Sequence, residues 1–339
     1  MTLIEGLALF CVCTVIIGVC GTFLTRQADQ LADLTGLGEA LMGAIFLGAV
    51  TSLSGITASV SAAISNHPEL AVSNAIGGIA MQTCFLAVAD IFYRKGNLEH
   101  ASASFTNLMQ AVFLIGMLAF VAFVSYGPDY GIAGLHPATV ILPVIYVLGQ
   151  RLISKAGKRP MWNPVQTGQT QPDNPDIDTL NNGKLSRIVA AFALNALIIG
   201  LAGYAITRSA VVIAQETPMS ESIMGAAFTS LATSLPELVV AIAAVRQRAL
   251  TLAVSNIIGG NTFDVLFLVF ADIAYSPGSL FHTFTSGHYL MLMLTILLTG
   301  VLLMGLVHRQ KEGMGGVGWE SVTMLALFGL GYGVLFYID

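Results

Sequence analysis

Apolar residues run along this chain in unbroken blocks of about twenty, each long enough to cross a bilayer as a helix. Ten spans are predicted, near residues 3–24, 40–64, 70–93, 105–125, 134–151, 187–206, 222–245, 250–274, 285–307 and 319–337. One stretch, Ala232 to Asp272, interrupts this pattern from inside. It carries Glu237 in an LPE sequence and Asp264 in a GGNTFD sequence. A carboxylate at bilayer depth costs roughly 2.5–3.5 kcal/mol on insertion scales, so such groups are rare and mark ion or proton paths. Pro236 removes a helix hydrogen bond just before Glu237, and Gly259 and Gly260 are expected to break the helix before Asp264. Backbone freed in a membrane must line a cavity or be buried in protein. Two broken helices with an acid beside each break are what a cation site in a transporter requires.

The same stretch occurs twice. Subtracting 182 from each number places Thr233-Ser234-Leu235 on Thr51-Ser52-Leu53, and Leu252 to Asn256 on Leu70 to Asn74. Ile258-Gly259-Gly260 falls on Ile76-Gly77-Gly78, and Ala271-Asp272-Ile273 on Ala89-Asp90-Ile91. The offset holds without a gap over about forty residues, which marks an internal duplication of regions 48–91 and 230–273. The copies differ where chemistry is expected. Ser54-Gly55 stands opposite Pro236-Glu237, and Gln82 stands opposite Asp264. The first copy keeps Gly77 and Gly78 as expected helix breaks and lacks both acids, so any ion site is lopsided.

With 55% hydrophobic and 10% charged residues, the chain lies far outside soluble globular composition. The net charge of -5 says little, but the placement of the cations says more. With residue 1 outside and alternating spans, one side receives Arg26, Arg94, Lys95, Arg151, Lys155, Lys158, Arg159, Lys184, Arg187, Arg246, Arg248, Arg309 and Lys311, and the other only Arg208. The positive-inside rule makes the crowded side cytoplasmic and both termini extracytoplasmic. Five spans per half is an odd number, so the halves are inverted. The expected fold is an all-α membrane protein of ten transmembrane helices: a first five-helix repeat (1–151), a cytoplasmic linker (152–186) and a second five-helix repeat (187–339).

Other polar groups have simpler readings. Cys11, Cys13, Cys20 and Cys84 read as core residues, and the first span as a membrane helix rather than a signal peptide. Residues 26–39 read as a short connection, His67 as a solvated turn residue, and Glu320 as a surface charge beside Trp319. Asn107 and Asn195 read as interhelical glue, and Thr51, Ser54 and Ser61 share a helix face. Asp90 reads as an i,i+4 partner of Arg94, although its repetition as Asp272 also suits a gate. The linker reads as flexible. Its Asp173, Asp176 and Asp178 lack the glycine and distal glutamate of a calcium loop.

Taken together, TSLPE and SNIIGGNTFD resemble the second alpha-repeat of the cation/calcium antiporter superfamily, which includes sodium/calcium exchangers. TSLSG and SNAIGGIAMQ resemble a degenerate first repeat. The resemblance implies cation ligands at Glu237 and Asp264, with Thr233 and Ser234 beside them and Thr51, Ser52 and Gln82 from the first repeat. Gly55 stands where the family has a second glutamate, and Gly78 and Gly260 where many members have serine. The implied function is secondary cation antiport, Ca²⁺ against H⁺ or Na⁺, by alternating access at a midplane site, with no cofactor other than the transported cation. Two carboxylates balance one Ca²⁺, two Na⁺ or two protons, and Glu237 is the candidate proton carrier. A monovalent Na⁺/H⁺ exchanger or other cation transporter, and a non-transporting membrane sensor, are the alternatives on the same fold. An enzyme is disfavoured: there is no HExxH, no evident Ser–His pairing, and Asp90 and Asp272 lie at opposite faces. Expected partners are inorganic cations and lipid, not nucleic acid.

Overall fold

The computed structural model describes residues 2–93, 96–102, 104–128, 135–171, 185–215, 220–311, 313 and 316–338. Among the described residues every element is a helix. Helix α1 (Leu3–Thr35) opens on a capping box between Thr2 and Glu5 and ends on left-handed Gly36 at φ 66°. It does not stop near residue 24. Leu24, Ala28, Leu31 and Ala32 continue a buried stripe at helical spacing, so most of the expected 26–39 connection is helix. Next come α2 (Glu39–Thr51) and α3 (Leu53–Ile64), bent by 45° at Ser52. The first half is completed by α4 (Pro68–Tyr93), α5 (Phe105–Tyr126) and α6 (Ala138–Lys158).

The second half repeats the order. Helix α7 (Leu185–Gln215) is followed by α8 (Glu221–Thr233) and α9 (Leu235–Gln247), bent by 44° at Ser234. Then come α10 (Leu250–Asp264), α11 (Phe267–Ala274), α12 (Ser286–His308) and α13 (Trp319–Ile338). With each bent pair taken as one span and α10–α11 as another, the described residues hold ten helices long and apolar enough to cross a membrane, five in each of the two repeats. Each bend follows a wide π turn, Met42–Leu47 in the first half and Met224–Thr229 in the second. Such turns are rare inside α-helices and occur frequently at functional sites.

The paired glycines do not break helices. Both α4 and α10 run unbroken through Gly77-Gly78 and Gly259-Gly260; the interruption near Asp264 lies after it, at Val265-Leu266. The glycines serve close approach between halves. A Cβ on Gly77 would come within 2.6 Å of the Ala226 Cα, and one on Gly259 would overlap Ala44. These are the same contact made twice, since Ala44 and Ala226 are themselves repeat mates. Small residues at a crossing let membrane helices pack backbone to backbone.

The final helix of each half is held by the other half. Asp90, at the end of α4, accepts hydrogen bonds from the Leu98 N–H (2.8 Å), the Gly318 N–H (3.0 Å) and the Ser321 hydroxyl (3.0 Å). The last two open α13. Its mate Asp272 accepts from the Leu280 N–H (2.7 Å), the Ser279 hydroxyl (2.8 Å) and the Thr139 hydroxyl, which opens α6. Arg94, the expected partner of Asp90, lies outside the described residues, and Asp90 is spent on this clasp.

Around Asp90 the basic face of the protein is packed rather than open. Glu320 is fully buried, not an interfacial charge: Gly305 makes room for it, and Asn97 Nδ2 donates to it at 2.5 Å. Linker residues up to 171 are docked on the same face. Arg309 donates to Val165 O and Thr170 Oγ1, Thr167 meets His100 at 2.8 Å, and Gln171 N donates to Ala101 O. Asp173, Asp176 and Asp178 lie outside the described residues. On the opposite face His67 is not merely solvated; its Nδ1 meets Glu221 at 2.6 Å and ties the two halves. Asn195 bonds Gln27, and Asn107 bonds Thr251 O, as helix-to-helix contacts. All four cysteines are free. Cys13 and Cys84 are buried, Cys20 is half-buried, and Cys11 faces outward.

Two outcomes follow from this packing. Gly259→Val and Gly77→Val should each abolish the monodisperse folded peak in size-exclusion chromatography, whereas Gly329→Val, whose Cβ would meet nothing, should not. Equal yields for all three would refute the close-approach account. Separately, burial and the neighbouring Asp90 and Glu320 carboxylates push the Glu99 carboxyl well above the ordinary glutamate range. The folded chain then holds a proton that the unfolded chain releases, so stability falls as pH rises from that ordinary range through the raised value. Replacing Glu99 by Gln should flatten this slope and stabilise the protein at pH ~8 by about 1 kcal/mol or more, read as detergent thermal unfolding at two pH values.

Candidate cation site

The two bends meet the middle of α4 and the end of α10 at the centre of the bundle. Pro236 sits in the first turn of α9, where its missing N–H costs nothing, and it helps to start a new helix after Ser234. The first half bends at the same place without a proline, since Ser54 stands at that position. Both bends therefore present a serine in the break, a threonine before it and the carbonyl end of a helix segment. That end carries partial negative charge, which suits a cation.

Asp264 is fully buried, and both of its oxygens are held by the first half. Ser52 Oγ donates to Oδ1, and Gln82 Nε2 donates to Oδ2 at 2.7 Å. The Gln82 amide also reaches Ser234 Oγ at 3.1 Å, so four of the expected residues form one network. Glu237 is 1% exposed. It faces the Asp264 charge and the Thr51 hydroxyl, and its Oε2 has no hydrogen-bond partner. Thr51 is also bonded to the carbonyls of Leu47 and Gly48, each at 3.1 Å. Thr233 is drawn the other way, towards Asn74 Oδ1 at 3.3 Å and its own Ser230 carbonyl.

The structure thus gathers Glu237, Asp264, Ser52, Ser234, Gln82 and Thr51, with Thr233 at the edge. Asp90 and Asp272 do not join them. Several neighbours were not assigned to the site from the sequence, where Ser54 was read only as sharing a helix face with Thr51. Ser54 Oγ donates to the Thr233 carbonyl at 2.7 Å, stitching one bend to the other. Asn74 holds the Gly55 carbonyl and Ser59. Its repeat mate Asn256 is fully buried with neither side-chain atom paired, and Gln82 Oε1 and Asn261 Oδ1 are likewise buried acceptors without a donor. The signal for the two asparagines was available in the repeated Ser-Asn pair. Buried polar atoms nearly always find partners, and at the carboxylate pair itself Gln82 Oε1 and Glu237 Oε2 are left spare, which suits a hard cation. Among the described residues no group of three or more His, Cys, Asp or Glu could hold a metal, so any cation here is shared between two acids and neutral oxygens.

A cavity of about 530 Å³ opens between α3, α7 and α8 on the face away from the basic loops. Thr57, Ser61, Thr207 and Arg208 line it, together with Thr229, a buried hydroxyl with no partner one turn before Thr233. Beside the site on α3, a Cβ added to Gly55 would overlap the ring of Phe267. One Ser–His contact does exist, Ser73 Oγ to His288 Nε2 at 2.9 Å. It is packed between helices, with Thr285 rather than an acid on the other ring nitrogen.

Comparison with known proteins agrees with this architecture. The model of the family described as sodium/calcium exchanger protein matches residues 5–148 and 187–337. An uncharacterized membrane protein of Methanocaldococcus jannaschii, MJ0091, is 23% identical over 332 residues, covering 96% of each chain. The inner membrane protein YrbG of Escherichia coli is 30% identical over 119 residues, 35% of this chain and 37% of that one. Among solved structures, the sodium-calcium exchanger NCX_Mj soaked with 100 mM Na⁺ and 10 mM Sr²⁺ shares the fold at a TM-score of 0.68 and 18% identity, covering 97% of this chain and 98% of that one. The family model spans both halves of the duplication, and the chain belongs to the sodium/calcium exchanger family.

Proposed function

We propose that the protein is a secondary antiporter that exchanges Ca²⁺ for H⁺ or Na⁺ across the membrane, with the cation held between Glu237 and Asp264. The observation that carries this reading is the Asp264 network: a buried second-half carboxylate held by Ser52 and Gln82 of the first half, with Glu237 facing it. Loading and release can then be felt by both halves at once. Thr51, Thr233, Ser234 and the carbonyl ends of α2 and α8 supply the neutral oxygens, and Glu237 carries the proton in the proton-coupled form. Two negative charges match one Ca²⁺, so the exchanged load is two protons or two Na⁺.

In this proposal the two units are residues 1–151 and 187–339, joined by 152–186 on the cytoplasmic side, with both termini outside. The cavity at Thr229 is the outer approach. Asp90 and Asp272 act at the two ends of the cycle, as clasps that keep the vestibule helices in place. A second reading, a monovalent Na⁺/H⁺ exchanger, is favoured by the Phe267 ring at Gly55, which removes the room a third acid would need.

The test uses purified protein in liposomes with a pH dye inside, under an imposed Ca²⁺ gradient and then a Na⁺ gradient. Calcium-driven proton movement is expected in the parent and should vanish in Glu237→Gln and Asp264→Asn, both still monodisperse. Unchanged transport in both variants would end the proposal. Movement driven by Na⁺ alone would select the monovalent reading, and silence under both gradients sends the question to radiolabelled calcium uptake against internal Na⁺. Gln82→Leu leaves an Asp264 oxygen without its donor. It should lower the stability of the cation-free protein by about 1–3 kcal/mol, measured by thermal unfolding in chelator.

A further inference from the structure

Internal duplication identifies an absence that can be located in space. Glu237 has Gly55 as its repeat mate, so the first half lacks an acid at a known backbone position. That position is not empty. An ideal Cβ on Gly55 would meet three atoms of the Phe267 ring before anything else, and Phe267 is 3% exposed. The geometry follows from the helices on either side of the site. Ser52 bonds Asp264 at the break. Three residues further along each chain, Gly55 and Phe267 are the next pair to meet. The hydroxyl–carboxylate contact and the glycine–ring contact are thus successive rungs between α3 and the α10–α11 span.

We infer that Phe267 is a selectivity residue for the proposed cation site. Its ring fills the volume in which a side chain at position 55 would begin and seals that flank with hydrocarbon. The first half can then present only the neutral groups Thr51, Ser52 and Gln82, and the negative charge of the site is limited to the Glu237–Asp264 pair, enough for one Ca²⁺. An aromatic ring here also keeps water from the rung beside Asp264, so a cation on that flank would have no oxygen to replace its hydration shell. The pairing is reciprocal: Gly55 accommodates the ring, and the ring excludes any larger residue at 55. This inference rests on the cation-binding reading above and deepens it.

The experiment is a set of variants purified in detergent: Gly55→Glu, Phe267→Ala and the double variant Gly55→Glu/Phe267→Ala, with Phe267→Leu as the milder change. Thermal unfolding is followed with CaCl₂ and with NaCl, and calorimetry gives affinity and the number of ions bound. The parent is expected to bind a single Ca²⁺, or at most two Na⁺, at the two carboxylates. Gly55→Glu alone should lose its folded peak or unfold at clearly lower temperature. The double variant should recover the fold and bind Ca²⁺ about tenfold tighter or more, since ligand charge tunes calcium affinity over orders of magnitude. Phe267→Ala and Phe267→Leu should fold and shift the preference between Ca²⁺ and Na⁺. The inference is overturned if Gly55→Glu alone is as stable as the double variant and gains the same affinity. It is equally overturned if the folded Phe267 variants and the double variant keep the parent's affinity, ion number and preference. Failure of the underlying reading looks different: the parent itself responds to neither cation, and the inference falls with it.

Discussion

Two carboxylates held away from water in a bilayer must be compensated, and the rest of this structure answers that requirement. Asp264 finds its donors across the interface between halves, in Ser52 and Gln82. Those donors are available only because α2–α3 and α8–α9 both break at mid-depth, and the breaks can face one another only because glycines let α4 and α10 approach the opposing π turns. A charge–dipole contact at the centre thus depends on backbone contacts one or two turns away. Removing a methyl-sized gap at Gly77 or Gly259 would displace the donors before it touched the acid.

The duplication shares this work unequally. The first half retains bend, π turn, hydroxyls and close-packed glycines, while the second half alone retains the two acids of the central site. Symmetric geometry with asymmetric charge leaves the neutral half as the positioning half. Gln82 illustrates the point, since an amide in the place of Asp264 donates to its own repeat mate and to Ser234. A second acid there would repel Asp264 instead.

Much of this was legible in the sequence, and what was missed has physical causes. The spans were visible because hydrocarbon thickness imposes a length, and the inversion followed from an odd span count with segregated cations. The site network was legible because Glu237, Asp264, Ser52 and Gln82 recur at one offset or interrupt an apolar run. Gly77 and Gly259 were misread because glycine is ambiguous: it loosens a helix in water yet allows close packing in a membrane. The burial of Glu320 and the docking of residues 159–171 depend on neighbours distant in sequence, among them Gly305, Asn97 and Arg309, which periodicity does not reveal. The extension of α1 was masked by Arg26, Asp29 and Asp33, which lie among its buried alanines and leucines.

The crossed clasps of Asp90 and Asp272 bear on how such a molecule came to exist. Each half lends its last helix to be fastened by the other, so a solitary ancestral half would have lacked a fastening until it met an upside-down copy of itself. A half that paired with its own inverted copy would need to enter the membrane both ways up, which requires a weak bias in its basic loops. The present sequence reads otherwise: with ten alternating spans nearly all of its Lys and Arg are expected on one side, a bias that would favour a single orientation for each half. Cut between residues 171 and 185, the two pieces would be partners that can only assemble with each other.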